Sequence, residues 1–106
     1  LLQRYTDADL HSLTEEQREF VIDRFVGMDV YRRFMLDVGT AIQDKAPSYT
    51  VALLRLKEAK NYIREVVSDS FQKLRSSGQR LSGNRISQIV RSALSDAIYV
   101  FAGYAE

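Results

Sequence analysis

The sequence predicts an all-α domain, a compact antiparallel bundle of about four helices at approximately residues 15–26, 29–45, 48–77 and 85–102. Three observations predict this class. Apolar residues recur at steps of three and four over most of the chain, which places them on one face of each helix. No segment has the alternation of apolar and polar residues that is typical of a strand. The connections between the periodic segments are short, as they are between antiparallel helices.

The composition indicates a single globular domain. The chain has 106 residues, of which 45% are hydrophobic and 27% are charged. A chain of this length builds one core, and this balance is too apolar for a disordered protein. We therefore expect one helical domain over residues 1–106. The start at Leu1 instead of a methionine suggests an excerpt of a longer chain.

The same composition restricts the cellular setting. No stretch approaches the roughly 18 consecutive apolar residues of a membrane-spanning helix, and no charged-then-apolar leader is present at the start. We therefore expect a soluble chain without a membrane partner. The sequence contains no cysteine, which excludes disulfides and cysteine-type zinc sites and fits a reducing compartment. These features predict a cytoplasmic location.

The first helix has a clear start signal. The sequence Thr14-Glu15-Glu16-Gln17 has the form of a capping box, in which Thr14 caps the first turn and the Gln17 side chain reaches back to it. The expected apolar face of this helix consists of Phe20, Val21, Phe25 and Met28.

The second predicted helix begins after Gly27. Glycine costs about 1 kcal/mol in a helix interior, and Asp29 is a suitable cap for a new helix. We favour two helices with a tight break near Gly27, and the alternative is one kinked helix over residues 15–45. Gly39 more readily permits close helix packing than it ends the helix. The apolar stripe of the second helix consists of Val30, Tyr31, Phe34, Met35, Val38, Ala41 and Ile42.

The longest predicted helix lies between Pro47 and Gly78. Proline is tolerated in the first turn of a helix, and glycine readily adopts the left-handed conformation just past the end. At 1.5 Å per residue this helix spans roughly 40 Å, so the other helices can pack along it. Its apolar face consists of Ala52, Leu56, Ala59, Ile63, Val66, Val67, Ser70 and Leu74.

The last predicted helix follows the only stretch rich in turn residues, 76–84. Ser82 or Asn84 is a suitable cap for it. Its apolar side consists of Ile86, Ile89, Val90, Ala93, Leu94, Ala97, Ile98 and Phe101.

A basic segment surrounds this loop. Residues 73–91 carry five positive side chains and no acid, and they include a glycine-containing loop and a helix start. Such a segment is a candidate for binding an anion or nucleic acid. The alternative is a solvated loop whose arginines remain in water. The candidate nucleic-acid or anion-binding residues are Lys73, Arg75, Arg80, Asn84, Arg85 and Arg91.

A second positive row follows the long helix. Lys57, Lys60 and Arg64 lie three and four residues apart, and acidic neighbours at 58 and 65 can pair with some of them. We interpret this row as a mixed-charge face exposed to solvent.

Two segments carry more apolar side chains than one helix face can bury. Residues 51–54 and 98–105 are apolar nearly all round, whereas a surface helix needs only one apolar stripe. We expect part of this surplus to contact a partner. The alternative is burial by the N-terminal helices. The candidate interface residues are Val51, Leu53, Leu54, Tyr99, Phe101 and Tyr104.

No constellation in the sequence predicts catalysis. His11 is the only histidine, so we expect no metal site and no histidine-dependent triad. No glycine-rich phosphate motif is present, and we expect no cofactor. A small-molecule sensor with a pocket among Tyr31, Phe34, Tyr62 and Phe71 has no polar constellation to support it.

The sequence thus predicts a non-catalytic helical module for protein–protein interaction or oligomerisation. Its partner is a second copy, as in a homodimer, or another protein of a larger assembly. The alternative is a nucleic-acid-binding regulatory domain that uses the basic 73–91 segment.

Overall fold

Three helices form the part of the chain that the computed structural model describes, residues 14–106. Helix α1 covers residues 15–45, α2 covers Tyr49–Ser76, and α3 covers Gly83–Phe101 and continues into a 3-10 turn, Ala102–Ala105. No strand occurs between residues 14 and 106, so the all-α class is confirmed. The number of helices is three in this range, not about four.

The break expected near Gly27 is wrong, because α1 continues through it. The α-helical part Glu15–Phe34 contains Gly27, which is buried. The neighbouring Val26 and Val30 are 4% and 0% exposed, and their burial offsets the cost of a helical glycine. Asp29 does not cap a new helix. Its carboxylate instead accepts a hydrogen bond of 3.1 Å from Arg33, one turn further along α1.

A π-helical turn, Met35–Gly39, joins the first part of α1 to its last part, Thr40–Lys45, without interruption. In a regular α-helix the 16-residue step from Val26 to Ile42 rotates the second side chain about 160° away from the first. A π turn accommodates one extra residue, which reduces this rotation to about 60°. Ile42 is therefore 0% exposed, in the same core as Val26.

The local start signals are confirmed. The Thr14 hydroxyl accepts a hydrogen bond from the Gln17 N–H, and the Gln17 side chain accepts one from the Thr14 N–H, which completes the capping box. The Ser48 hydroxyl caps α2, one residue after the proline, by accepting from the Val51 N–H. Ser82, not Asn84, caps α3.

The end of α2 is also as expected. Gly78 has a φ of 72°, in the left-handed region that favours glycine. The Gly78 N–H donates to the Arg75 carbonyl and the Gln79 N–H donates to the Leu74 carbonyl, both at 3.1 Å. This pair of bonds is a Schellman motif, which satisfies carbonyl groups that the helix end leaves without partners.

The helices run antiparallel in chain order around one shared core. Contacts between α1 and α2 pair early residues with late ones, as in Asp23 with Ser68. Aromatic rings join the other end of the bundle, where Phe101 lies edge-on to Phe34 at 6.2 Å and to Tyr62 at 5.6 Å between ring centroids. No helix of the described range is both long enough and apolar enough to cross a membrane.

Candidate interaction surfaces

An elongated groove lies between α1 and α2, which we call the α1/α2 groove. Its volume is about 360 Å³. Residues of α1 at steps of three and four form one wall, and residues of α2 at steps of four form the other, because these spacings align side chains along a helix. The groove is lined by Phe20, Asp23, Arg24, Gly27, Met28, Tyr31, Lys60, Arg64 and Ser68.

A hydrogen bond crosses the α1/α2 groove. The Ser68 hydroxyl donates to the Asp23 carboxylate, at 3.2 Å from one oxygen and 3.1 Å from the other. Burial raises the pKa of Asp23, while this hydrogen bond and the nearby Arg75 and Arg24 act in the opposite direction. Burial also raises the pKa of the Tyr31 hydroxyl above its ordinary value.

Cations lie against aromatic rings along the same groove. The Arg24 guanidinium lies 5.6 Å from the centroid of the Phe20 ring, and the Lys60 ammonium lies 5.5 Å from that of Tyr31. These distances fall within the range of cation–π attraction. Between residues 14 and 106, neither cation forms an ion pair with a carboxylate, and the same holds for Arg64.

Two large apolar side chains of the groove are exposed. Phe20 is 56% exposed and Met28 is 66% exposed. The sequence assigned both to the apolar face of the first helix, although Phe20 and Val21 are consecutive and point about 100° apart. The structure buries Val21 and exposes Phe20. The steps of four from Phe20 through Arg24 to Met28 are the signal that could have identified this second face.

The predicted interface residues divide by burial. Leu53, Leu54 and Tyr99 are 48%, 56% and 86% exposed. All three lie at the end of the bundle where α2 begins and α3 ends. Val51 is half-buried. Phe101 is 7% exposed and belongs to the core, so it offers no surface to a partner.

Tyr104 is held by neighbours within the chain. Its hydroxyl donates to Glu58 at 3.3 Å, and the Arg55 guanidinium lies 4.4 Å from the centroid of its ring. Its ring also packs at 5.9 Å from that of Phe101. These contacts hold the 3-10 turn against α2. The Tyr104 side chain is half-buried.

The basic segment does not form one surface. Lys73 and Arg85 line a second groove, between α2 and α3, with a volume of about 430 Å³. Arg75 faces α1 instead, where it pairs with Glu19 at 3.5 Å. Arg91 is six residues from Arg85, which places the two about 120° apart around α3.

The remaining candidates lie in or beside the loop before α3. The Arg85 side chain donates to the backbone carbonyl of Arg80, which fixes this loop. Arg80 and Arg75 line a third groove, between the start of α1 and this loop, which also contains the acids Glu15 and Glu19. Asn84 is exposed in the first turn of α3, and consecutive residues point about 100° apart. Asn84 therefore points away from Arg85.

No group of three or more His, Cys, Asp or Glu side chains within residues 14–106 is arranged to hold a metal ion. His11 lies outside the described residues.

Residues 1–101 match the family model QatB, described as Qat anti-phage system associated protein QatB. No curated protein and no solved structure matches the chain significantly.

Proposed function

We propose that this chain, which belongs to the QatB family, serves the Qat anti-phage system as a non-catalytic protein-interaction component. The family description names a protein associated with a system, and this supports partners among the other proteins of that system. The prediction that the chain is not an enzyme is part of this proposal.

The observation that carries the proposal is the amount of exposed apolar surface. Nine large hydrophobic side chains of the described range are about half exposed or more. Single exposed apolar residues are ordinary, but groups of them mark surfaces that bind proteins. Five of the nine form two groups: Phe20 and Met28 in the α1/α2 groove, and Leu53, Leu54 and Tyr99 at the end of the bundle.

A copurification experiment tests this proposal. The full chain is produced together with the other proteins of its own Qat system and isolated through a tag. We expect at least one of these proteins to copurify in a fixed ratio. Glutamate then replaces exposed apolar residues, with Leu53→Glu and Leu54→Glu at the end of the bundle and Met28→Glu in the α1/α2 groove. We expect the substitution in at least one of these regions to weaken the complex.

Gln72→Glu is the matched control, since it adds a negative charge at an exposed position of α2 that carries no apolar side chain. The proposal fails if no Qat protein copurifies with the unaltered chain. It also fails if the complex resists glutamate in both regions.

Self-association is the homodimer version of the same proposal. Leu53, Leu54 and Tyr99 lie at one end of the bundle and support it, whereas the buried Phe101 does not. Sedimentation of the purified chain distinguishes the versions. If the chain is a monomer at high micromolar concentration and Leu54→Glu does not change this, the homodimer is excluded. Binding to other proteins of the Qat system then remains.

Nucleic-acid binding is the second candidate function, and one observation supports it. Lys73, Arg85 and Gln88 line the groove between α2 and α3, where cations and an amide could contact phosphate and base. Fluorescence anisotropy with a DNA or RNA duplex over a salt series tests it. Binding at low salt that falls on Lys73→Ala with Arg85→Ala supports this candidate, and no binding at low salt removes it.

A further inference from the structure

We propose that the α1/α2 groove binds an acidic amphipathic helix of another protein of the Qat system. This inference rests on the proposed function and names the surface and the chemistry of the partner. Three properties of the groove select this occupant: its shape, its charge and its exposed apolar side chains.

The shape suits a helix. Along α1 the groove extends from Phe20 to Tyr31, which is about 16 Å or three helical turns. The middle of the groove is open, because Gly27 lacks a side chain and a Cβ placed there would meet only the Arg64 Cγ, at 3.9 Å. A helix can lie along such a groove and insert apolar side chains at steps of three and four.

The charge selects acidic residues. Arg24, Lys60 and Arg64 line the groove with three positive charges, and no carboxylate between residues 14 and 106 pairs with them. The single acid, Asp23, accepts the Ser68 hydrogen bond. Two of the cations lie over aromatic rings, from which they can reach a carboxylate on a bound helix without leaving the ring.

The apolar side chains favour a protein over a nucleic acid. Phe20 and Met28 are more than half exposed, and an amphipathic helix buries them on its apolar face. A sugar–phosphate backbone offers no such apolar face, and it would meet the carboxylate of Asp23.

Photo-crosslinking identifies the occupant. A photoreactive amino acid replaces Met28 in the full chain, which is produced with the other proteins of its Qat system. Mass spectrometry should find a crosslinked segment that is helical in pattern, with acids on one face. The same amino acid at Ser95, an exposed position of α3 outside the groove, is the control and should not crosslink to that segment.

Charge reversal tests the recognition. Lys60→Glu with Arg64→Glu should weaken the complex at least about tenfold, because like charges then face each other. Arg32→Glu with Lys45→Glu changes the net charge equally at exposed positions that do not line the groove, and should leave the affinity within about twofold. Lysine in place of the acids of the crosslinked segment should restore binding to the reversed groove. Circular dichroism confirms that each variant is folded.

The outcomes separate this inference from the proposed function. A Qat complex that withstands reversal of Lys60 and Arg64 overturns the groove assignment and leaves the protein-interaction role in place. A crosslink at Met28 to a second copy of this chain, to a basic segment or to nucleic acid also overturns it. Absence of any complex overturns both.

Discussion

The Ser68 hydroxyl donates to both carboxylate oxygens of Asp23, and this contact joins two helices across 45 positions of sequence. The contact sets the position of α2 along the axis of α1, because it places Asp23 and Ser68 opposite each other in the groove. Lys60 and Tyr31 lie further along the same pair of helices, in the antiparallel order that this contact implies.

Asp23→Asn should change how stability depends on pH. Burial is the largest cause of the raised pKa of Asp23, so the folded state holds this proton more tightly than the unfolded state. The stability from this group is fully present below the ordinary pKa of 3.8 and is lost as pH rises through the folded value. The free energy of unfolding of the variant, minus that of the unaltered protein, should therefore increase over this range. Urea unfolding across pH measures this difference.

Asp69→Asn is the control for that experiment, because Asp69 is an exposed carboxylate on the same helix as Ser68. A difference for Asp23→Asn that decreases as pH rises would contradict the prediction.

Gly27→Ala should stabilise the protein by about 0.5–1 kcal/mol. Alanine is a better helix former, and its Cβ would meet only the Arg64 Cγ at 3.9 Å, an ordinary contact. Gly78→Ala should instead destabilise it by about 1 kcal/mol, because the φ of 72° disfavours a residue with a Cβ. Chemical denaturation of the two variants checks both signs, and equal signs would refute the assignment of Gly27 to a helix interior.

Phe101→Ala should cost about 3–5 kcal/mol of stability, since it empties a core position that contacts two other rings. Tyr99→Ala should change stability by no more than about 0.5 kcal/mol, because Tyr99 is 86% exposed. Thermal unfolding followed by circular dichroism compares the two. A small loss for Phe101→Ala would mean that the core does not include this ring.

Deletion of Leu36 should leave the protein folded. Leu36 is 77% exposed within the π-helical turn, and removing one residue there restores a regular α-helix in which Ile42 still faces the core. Deletion of Asn61 should unfold the protein. Asn61 is exposed but lies in the regular helix α2, and its loss rotates residues 62–76 by about 100°. Amide NMR spectra distinguish the two results.

Part of the fold could be predicted from neighbouring residues. The cap by Thr14 and Gln17, the cap by Ser82 and the left-handed Gly78 each depend on groups within about one helical turn. Such signals need no knowledge of the rest of the chain. The ends of α2 and α3 were therefore predicted within one or two residues.

The spacing of apolar residues does not by itself predict the π-helical turn. Val30, Phe34, Val38 and Ile42 recur at steps of four, and a regular α-helix rotates such a row by about 40° at each step. Rows at steps of four also lie in the core along the regular helices, as from Ala59 to Phe71 in α2. Gly27 is a different case. The low helix propensity of glycine predicts a break there, and the packing of its neighbours against the core overrides that preference.

The candidate surface required the tertiary structure. The sequence predicts that Lys60 and Arg64 lie on a solvent-exposed face of the long helix, and that Phe20 and Met28 belong to the apolar face of the first helix. Only the position of α1 against α2 brings these four side chains along one groove. The basic segment illustrates the reverse case, since side chains close in sequence, such as Arg75 and Arg85, turn to different helices.

The sequence by itself determined that the described chain is helical and where most of its helices begin and end, because capping and periodicity are local properties. The tertiary structure decided which apolar side chains are core and which remain exposed. A helix with apolar residues on more than one side cannot indicate which side its neighbours will cover. That choice depends on contacts between residues far apart in sequence, as between Phe34 and Phe101.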